Sequence, residues 1–364
     1  MNTEQRILCL AARTRLDEMA ERRLVELLRG LVNWEYLWAQ GHLHEVLPLV
    51  GMQLRRLRDQ APMPAEWLQR TQRLFLATLL QNTTLRDELL RVLAAFEAAG
   101  VQALPVKGIV VTEALYGNLG LRPAKDLDIL VRWQDLPVAR AALSELGFAQ
   151  SAQPSFTERA HPVHDPPYYR WVDGRAIVLE LHFALWRSHL FSLDTDHVWA
   201  RAVPLELHGR RVLMMSPEDM LLHLAIHRSR SPLRLRYVCD IAEFLQRHHE
   251  TLDWNYVVKQ TTRAGARTAL LCSLNLAAEL LDAPFVQQSA EQLGVGRLKR
   301  QLLGRICGQR ALFRHATPED LSQEPRPWQR LLMLDNLRQV TRGTRYQLGL
   351  TLRKRLSQHR SKPD

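Results

Sequence analysis

The sequence lacks the marks of several protein classes. Its four cysteines, Cys9, Cys239, Cys272 and Cys307, lie far apart, with no CxxC spacing and no paired histidines around them. That argues against a zinc site or a disulfide framework and for buried thiols in a reducing compartment. No apolar run approaches the roughly eighteen residues that a membrane helix needs. The N-terminus offers only Ile7 to Ala12 before Arg13, too short a stretch for a signal peptide, so a cytoplasmic location is expected. There is no GxxxxGK[ST] phosphate loop, no internal repeat and no low-complexity segment. Acidic residues are the minority charge, 38 against 49 Lys plus Arg, which gives a net charge of +11. Such a balance favours polyanionic partners, nucleotides, nucleic acid or anionic lipid, although here it is mostly arginine spread over helical stretches. A hydrophobic content of 46% excludes disorder as the main state. At 364 residues the chain has room for two domains, or for one with substantial helical additions.

What is present falls into three parts. Residues 1–99 read as helices: Leu16, Met19, Leu24, Leu27, Leu28 and Leu31 recur at helical spacing, as do Leu85, Leu89, Val92, Leu93 and Phe96. Pro48, Pro62 and Pro64 punctuate them, and Trp34, Trp38 and Trp67 read as core rather than as a stacking platform. In residues 100–215 the pattern changes to a strand over Val101–Val106, a helix over Gly108–Tyr116, a turn-rich loop, and a strand around Asp126–Val131. A helix over Gln134–Leu146 follows, then two strands, Tyr168–Val172 and Ala176–Phe183, joined by the hairpin dipeptide Asp173-Gly174. A further strand, Arg211–Met214, is expected to complete the sheet. Residues 216–364 are helical again from the Ser216-Pro217-Glu218-Asp219 start signal, with Asp240 and Arg236 expected to pair within one helix. They end in a basic tail beyond Arg326, either a solvated face or a contact for RNA or a membrane surface.

Four features converge on the central part. Asp126 and Asp128 flank Leu127 on a strand, so a period of two turns both carboxylates to one face. Paired carboxylates repel unless a cation sits between them, and oxygen-only ligands suit Mg²⁺; the plain alternative is an edge strand with an acidic solvent face. Glu180 shares its face with Val178 and His182, opposite Ile177, Leu179 and Leu181. A third carboxylate there is what a two-metal phosphoryl- or nucleotidyl-transfer site needs, unless it merely pairs with an arginine. Lys107-Gly108 stands at a strand-to-helix turn, where the backbone can approach a phosphate and the helix start faces it. Arg122 either neutralises triphosphate charge or salt-bridges the DxD. His164 and His161, in the loop before Glu180, and His182 beside it are candidates to line an acceptor pocket. His223 and His227 share a helix face but lack further ligands at metal-site spacing.

Lys107-Gly108, Tyr116, Arg122, Asp126-Leu127-Asp128-Ile129-Leu130-Val131 and Leu179-Glu180-Leu181-His182 resemble the uncharacterised bacterial nucleotidyltransferase family, within the polymerase-beta-like superfamily. Ser216 to His223, His227 and Tyr237 to Ala242 resemble its helical C-terminal part. The resemblance implies an α+β fold, a small mixed-sheet nucleotidyltransferase core flanked by N-terminal and C-terminal helical regions. It implies Asp126, Asp128 and Glu180 as catalytic residues holding two Mg²⁺ ions, with Mn²⁺ as the alternative, and Lys107, Gly108 and Arg122 at an NTP such as ATP. Ile109 stands where the wider superfamily carries serine after its glycine. The acceptor stays open: small molecule, peptide, glycan or RNA. Two other readings remain, a DxD glycosyltransferase using a nucleotide sugar and a non-catalytic nucleotide- or RNA-binding module.

Overall fold

A computed structural model describes residues 1–150, 163–185, 191–230, 234–284 and 291–308, together with a few positions beyond them. The basic tail and His161 lie outside the described residues.

Side-chain caps set the rhythm of the first hundred residues. Helix α1 (Thr3–Ala11) opens on a capping box between Asn2 and Gln5, and α2 (Glu18–Arg29) and α3 (Trp34–Leu43) open on Asp17 and Asn33. Pro48 starts α4 (Leu47–Arg56) where its missing N–H costs nothing. Helix α5 (Ala65–Ala98) then runs for 34 residues, about 50 Å at 1.5 Å per residue. Trp67 near its start belongs to one hydrophobic core, while Leu85, Leu89, Val92 and Phe96 near its end belong to another.

The second of those cores lies under the main sheet. Strand β1 (Ala103–Pro105) leads through the Lys107-Gly108 turn into α6 (Ile109–Tyr116), and β2 (Leu127–Val131) into α7 (Leu136–Glu145). The short β3 (Ala149–Gln150), β4 (Tyr168–Val172) and β5 (Arg175–His182) complete five strands in the order β1-β2-β5-β4-β3. β2 and β5 are parallel, and the other neighbours are antiparallel. The β4–β5 hairpin turns where expected, with Asp173 and Gly174 both at positive φ. Leu127, Ile129 and Val131 of β2 and Ile177, Leu179 and Leu181 of β5 face the core with α5 and α7. Period-two alternation therefore sends Asp128, Glu180 and His182 to the opposite face.

Next come α8 (Thr195–Ala200), then β6 (Val203–Leu207) and β7 (Arg210–Met214). These strands form a separate hairpin turned by His208 and Gly209, both at positive φ. The Arg211–Met214 strand thus does not extend the main sheet; its backbone is taken by β6, and it only packs beside β1. Helices α9 (Pro217–Arg230), α10 (Leu235–His248), α11 (Trp254–Ala264), α12 (Arg267–Leu281) and α13 (Arg297–Cys307) follow. Helices before and after the sheet share one core: Ile7, Leu24 and Leu54 cluster with Ile226, Phe244 and Leu270. Polar contacts reinforce this, with Thr14 donating its N–H and O–H to Glu243 and Arg13 pairing with Asp282 at 2.9 Å. The fold is α+β, a five-stranded mixed sheet flanked by helices.

Candidate active site

Register decides the geometry of the site. In the parallel pairing of β2 with β5, Asp128 lies directly across from Glu180 and Leu130 from His182. The Asp128 side chain is fully buried, and its Oδ1 receives Lys107 Nζ at 2.8 Å and His182 Nε2 at 2.9 Å. His182 Nε2 also lies 3.4 Å from Glu180 Oε2. Ligand atoms of Asp128, Glu180 and His182 fall within 4.8 Å of one another. Asp126 sits just before β2, half-buried, and is not part of that tight group.

Charge binds these groups together. Burial alone would raise the Asp128 pKa, but the Lys107 ammonium and the His182 hydrogen bond hold it far below the carboxylate range. Burial likewise opposes the charge on Lys107, and Asp128, Asp126 and Glu180 together keep the ammonium protonated. His182 is raised despite its burial, by hydrogen bonds to Asp128 and Glu180. Asp126 is raised by burial and then by the nearby Asp128 charge. The site thus keeps Asp128 ionised and presents Asp126 as its more readily protonated acid.

The donor set suits a divalent cation. Asp128 Oδ2 is buried without a hydrogen-bond partner, beside the Glu180 carboxylate and the His182 ring. A buried carboxylate oxygen with no donor is costly unless a cation answers it. Two carboxylates and one imidazole suit Mg²⁺ or Mn²⁺, the imidazole favouring the softer ion.

The turn at Gly108 is the second element. Gly108 has φ 66° and ψ −120°, and α6 begins there without a side-chain cap, which leaves its first N–H groups available. A Cβ on Gly108 would meet the Asp126 carbonyl oxygen at 3.1 Å. Gly108→Ala is therefore expected to cost about 1–3 kcal/mol and to displace Asp126. Gly117→Ala, whose φ of 63° has open space around it, should cost less. Thermal melts of the two variants check the difference.

Arg122 is engaged elsewhere. Its Nε and Nη2 donate to Asp240 at 2.7 and 2.9 Å, Tyr116 Oη donates to the same carboxylate at 2.8 Å, and all three side chains are buried. Arg122 Nη1 reaches the Gly108 carbonyl at 3.4 Å and Thr112 Oγ1 at 3.3 Å. Its place is behind the turn, and Asp240 is joined to it rather than to Arg236. Arg236 instead meets Glu45 at 3.1 Å. The loop between α6 and β2 is further fixed by Asn82 of α5, which donates to the carbonyls of Leu119 and Arg122 at 2.6 and 2.8 Å and accepts from the Ala124 N–H at 3.1 Å. A mid-helix asparagine on an otherwise apolar face was the one sequence signal for it.

The histidines divide. The His164 ring lies 5.0 Å from that of His182, and its Nδ1 is 2.6 Å from the Asp165 carbonyl oxygen. His223 and His227 stack on α9 with ring centroids 6.3 Å apart. Burial and then the Lys107 charge hold His223 down to about 3, so it backs the site as a neutral ring.

The profile of the family described as "Uncharacterised nucleotidyltransferase" matches residues 31–282. None of the curated proteins compared with the chain matches it. Among solved structures, an antigenic nucleotidyltransferase-like protein from Paracoccidioides brasiliensis aligns at 17% identity over 46% of this chain and 75% of that chain, with a TM-score of 0.30.

Proposed function

The chain belongs to the uncharacterised nucleotidyltransferase family, and from that premise we propose that it moves a nucleoside monophosphate from an NTP to a hydroxyl or phosphate acceptor. The observation that carries this reading is the register placing Asp128 across from Glu180, with His182 closing the group beside the Lys107-Gly108 turn. The acceptor oxygen bonds to the α-phosphorus, the bond from that phosphorus to the β-bridging oxygen breaks, and pyrophosphate leaves. Asp128 and Glu180, on neighbouring strands, would hold the cation, and Asp126 completes the acidic face at the strand entrance. A bound Mg²⁺ or Mn²⁺ would neutralise charge on the reacting phosphate and lower the pKa of the acceptor hydroxyl. Glu180 takes the acceptor proton, and His182 orients Asp128 through its Nε2 hydrogen bond while lying 3.4 Å from Glu180. The Gly108 turn and Lys107 face the phosphates with N–H groups and a point charge. Arg122 acts behind them, holding the turn.

Incubating the protein and a cell extract with each α-phosphate-labelled NTP and Mg²⁺ tests the reading. The expected result is label in an acceptor with matching pyrophosphate, both lost in Asp126→Ala. Release of a nucleoside diphosphate from an added nucleotide sugar, with no pyrophosphate formed from any NTP, would overturn it in favour of glycosyl transfer.

A further inference from the structure

Beside the acidic face, three cations converge on one carboxylate. Glu45 lies between α3 and α4 with φ 57°, a left-handed backbone that costs a non-glycine residue free energy. Its carboxylate meets Lys125 Nζ at 2.6 Å and Arg236 at 3.1 Å, and also pairs with Arg234. Lys125 directly precedes Asp126, and Arg236 donates to the Pro123 carbonyl at 3.0 Å, three residues before Asp126. Arg236 Nε is buried without a hydrogen-bond partner among the described residues.

A structural clasp between α10 and the α3–α4 turn would need only one arginine with Glu45. The arrangement has two arginines, and Lys125 is added from the site loop with 63% of its side chain exposed. Three positive charges against one negative repel one another, a cost that a multivalent anion would reverse. Two guanidinium forks and a point charge match the oxygens of a phosphate chain. Lys125 adjoins Asp126 in the chain and Arg236 holds the Pro123 carbonyl, so the cluster borders the acidic face.

We propose that Lys125, Arg234 and Arg236 form the seat for the phosphate chain of the nucleotide, with Glu45 gathering the three side chains until phosphate oxygens take its place. The inference rests on the nucleotidyl-transfer reading and assigns its substrate-binding cations, a role that Arg122 is too deeply engaged to fill.

The test is calorimetric binding of inorganic tripolyphosphate with Mg²⁺, and its competition with a fluorescent NTP, on the full chain. Lys125→Gln and Arg236→Gln should each weaken tripolyphosphate binding by about tenfold and make its salt dependence shallower. Arg70→Gln, which breaks a comparable pair with Glu35, should not. Exposed Lys125 keeps the test decisive should Arg236→Gln fail to fold. Wild-type affinity in Lys125→Gln overturns the seat and leaves the transfer reading standing. So does NTP binding without tripolyphosphate binding. Simultaneous binding of tripolyphosphate and NTP overturns it as well, since the cluster would then serve the acceptor. Wild-type protein that binds neither ligand overturns the seat together with the transfer reading.

Discussion

Asp128→Asn is expected to abolish nucleotidyl transfer and to weaken the fold at the same time. The variant removes the charge that answers Lys107 at 2.8 Å and His182 at 2.9 Å. Asp128 is fully buried and Lys107 largely so, which leaves the ammonium with little water to replace its partner. Breaking a buried pair from one side costs on the order of 3–5 kcal/mol, mostly the penalty of the orphaned charge. The companion variant Asp128→Asn/Lys107→Met removes that orphan and should recover most of the stability. It should not recover transfer, because the ionised oxygen donors that face Glu180 are gone. Urea unfolding together with pyrophosphate release separates the two effects. Wild-type turnover in Asp128→Asn would remove this face of the sheet from the chemistry.

The second large effect lies behind the turn. Asp240 holds Arg122 through two hydrogen bonds and accepts a third from Tyr116. Asp240→Ala leaves a buried guanidinium and a buried phenol unanswered, again about 3–5 kcal/mol. Arg122→Met/Asp240→Leu should be far milder than either single change, since a buried ion pair replaced by apolar groups of similar size is often neutral. Chemical denaturation of the three variants measures the coupling. Additive losses would mean that the two residues act independently. The double variant should also raise KM for the nucleotide, because the Gly108 carbonyl loses the Arg122 contact at 3.4 Å.

Local pattern made the two strands of the candidate site legible. Alternation placed Asp126 with Asp128 on one face of their strand and Glu180 with His182 on one face of theirs, and Asp173-Gly174 announced the hairpin between β4 and β5. Their alignment across β2 and β5 is a matter of register between segments some fifty residues apart, and period-two reasoning is silent on that. Arg122 shows the same limit more sharply. Its spacing from Asp126 invited a role at the phosphates, but its partner Asp240 is 118 residues away and buries it. His182 read as a pocket residue because the two carboxylates of the DxD and Glu180 already made a three-acid set, whereas the side chains bring the imidazole, not Asp126, into the tight group with Asp128 and Glu180. The strand at Arg211–Met214 was legible, but not its partner Val203–Leu207, since a His-Gly turn carries a weaker signal than Asp-Gly. The sharing of one core by α1, α2 and α4 with α9, α10 and α12 leaves no trace in local periodicity at all.

Helix α5 is one uninterrupted rod embedded in two hydrophobic cores, the first ending at Phe75 and the second beginning at Leu79, with Asn82 within the second. Neither core can melt without pulling on the other, so their folding free energies are not separately available. The sheet that carries the acids is therefore not a portable module. Excising it from the preceding helices would strip away the wall against which β2 and β5 pack, and with it the amide that holds the loop into Asp126. A protease cutting within α5 should end in loss of the whole structure, not in release of a smaller folded fragment.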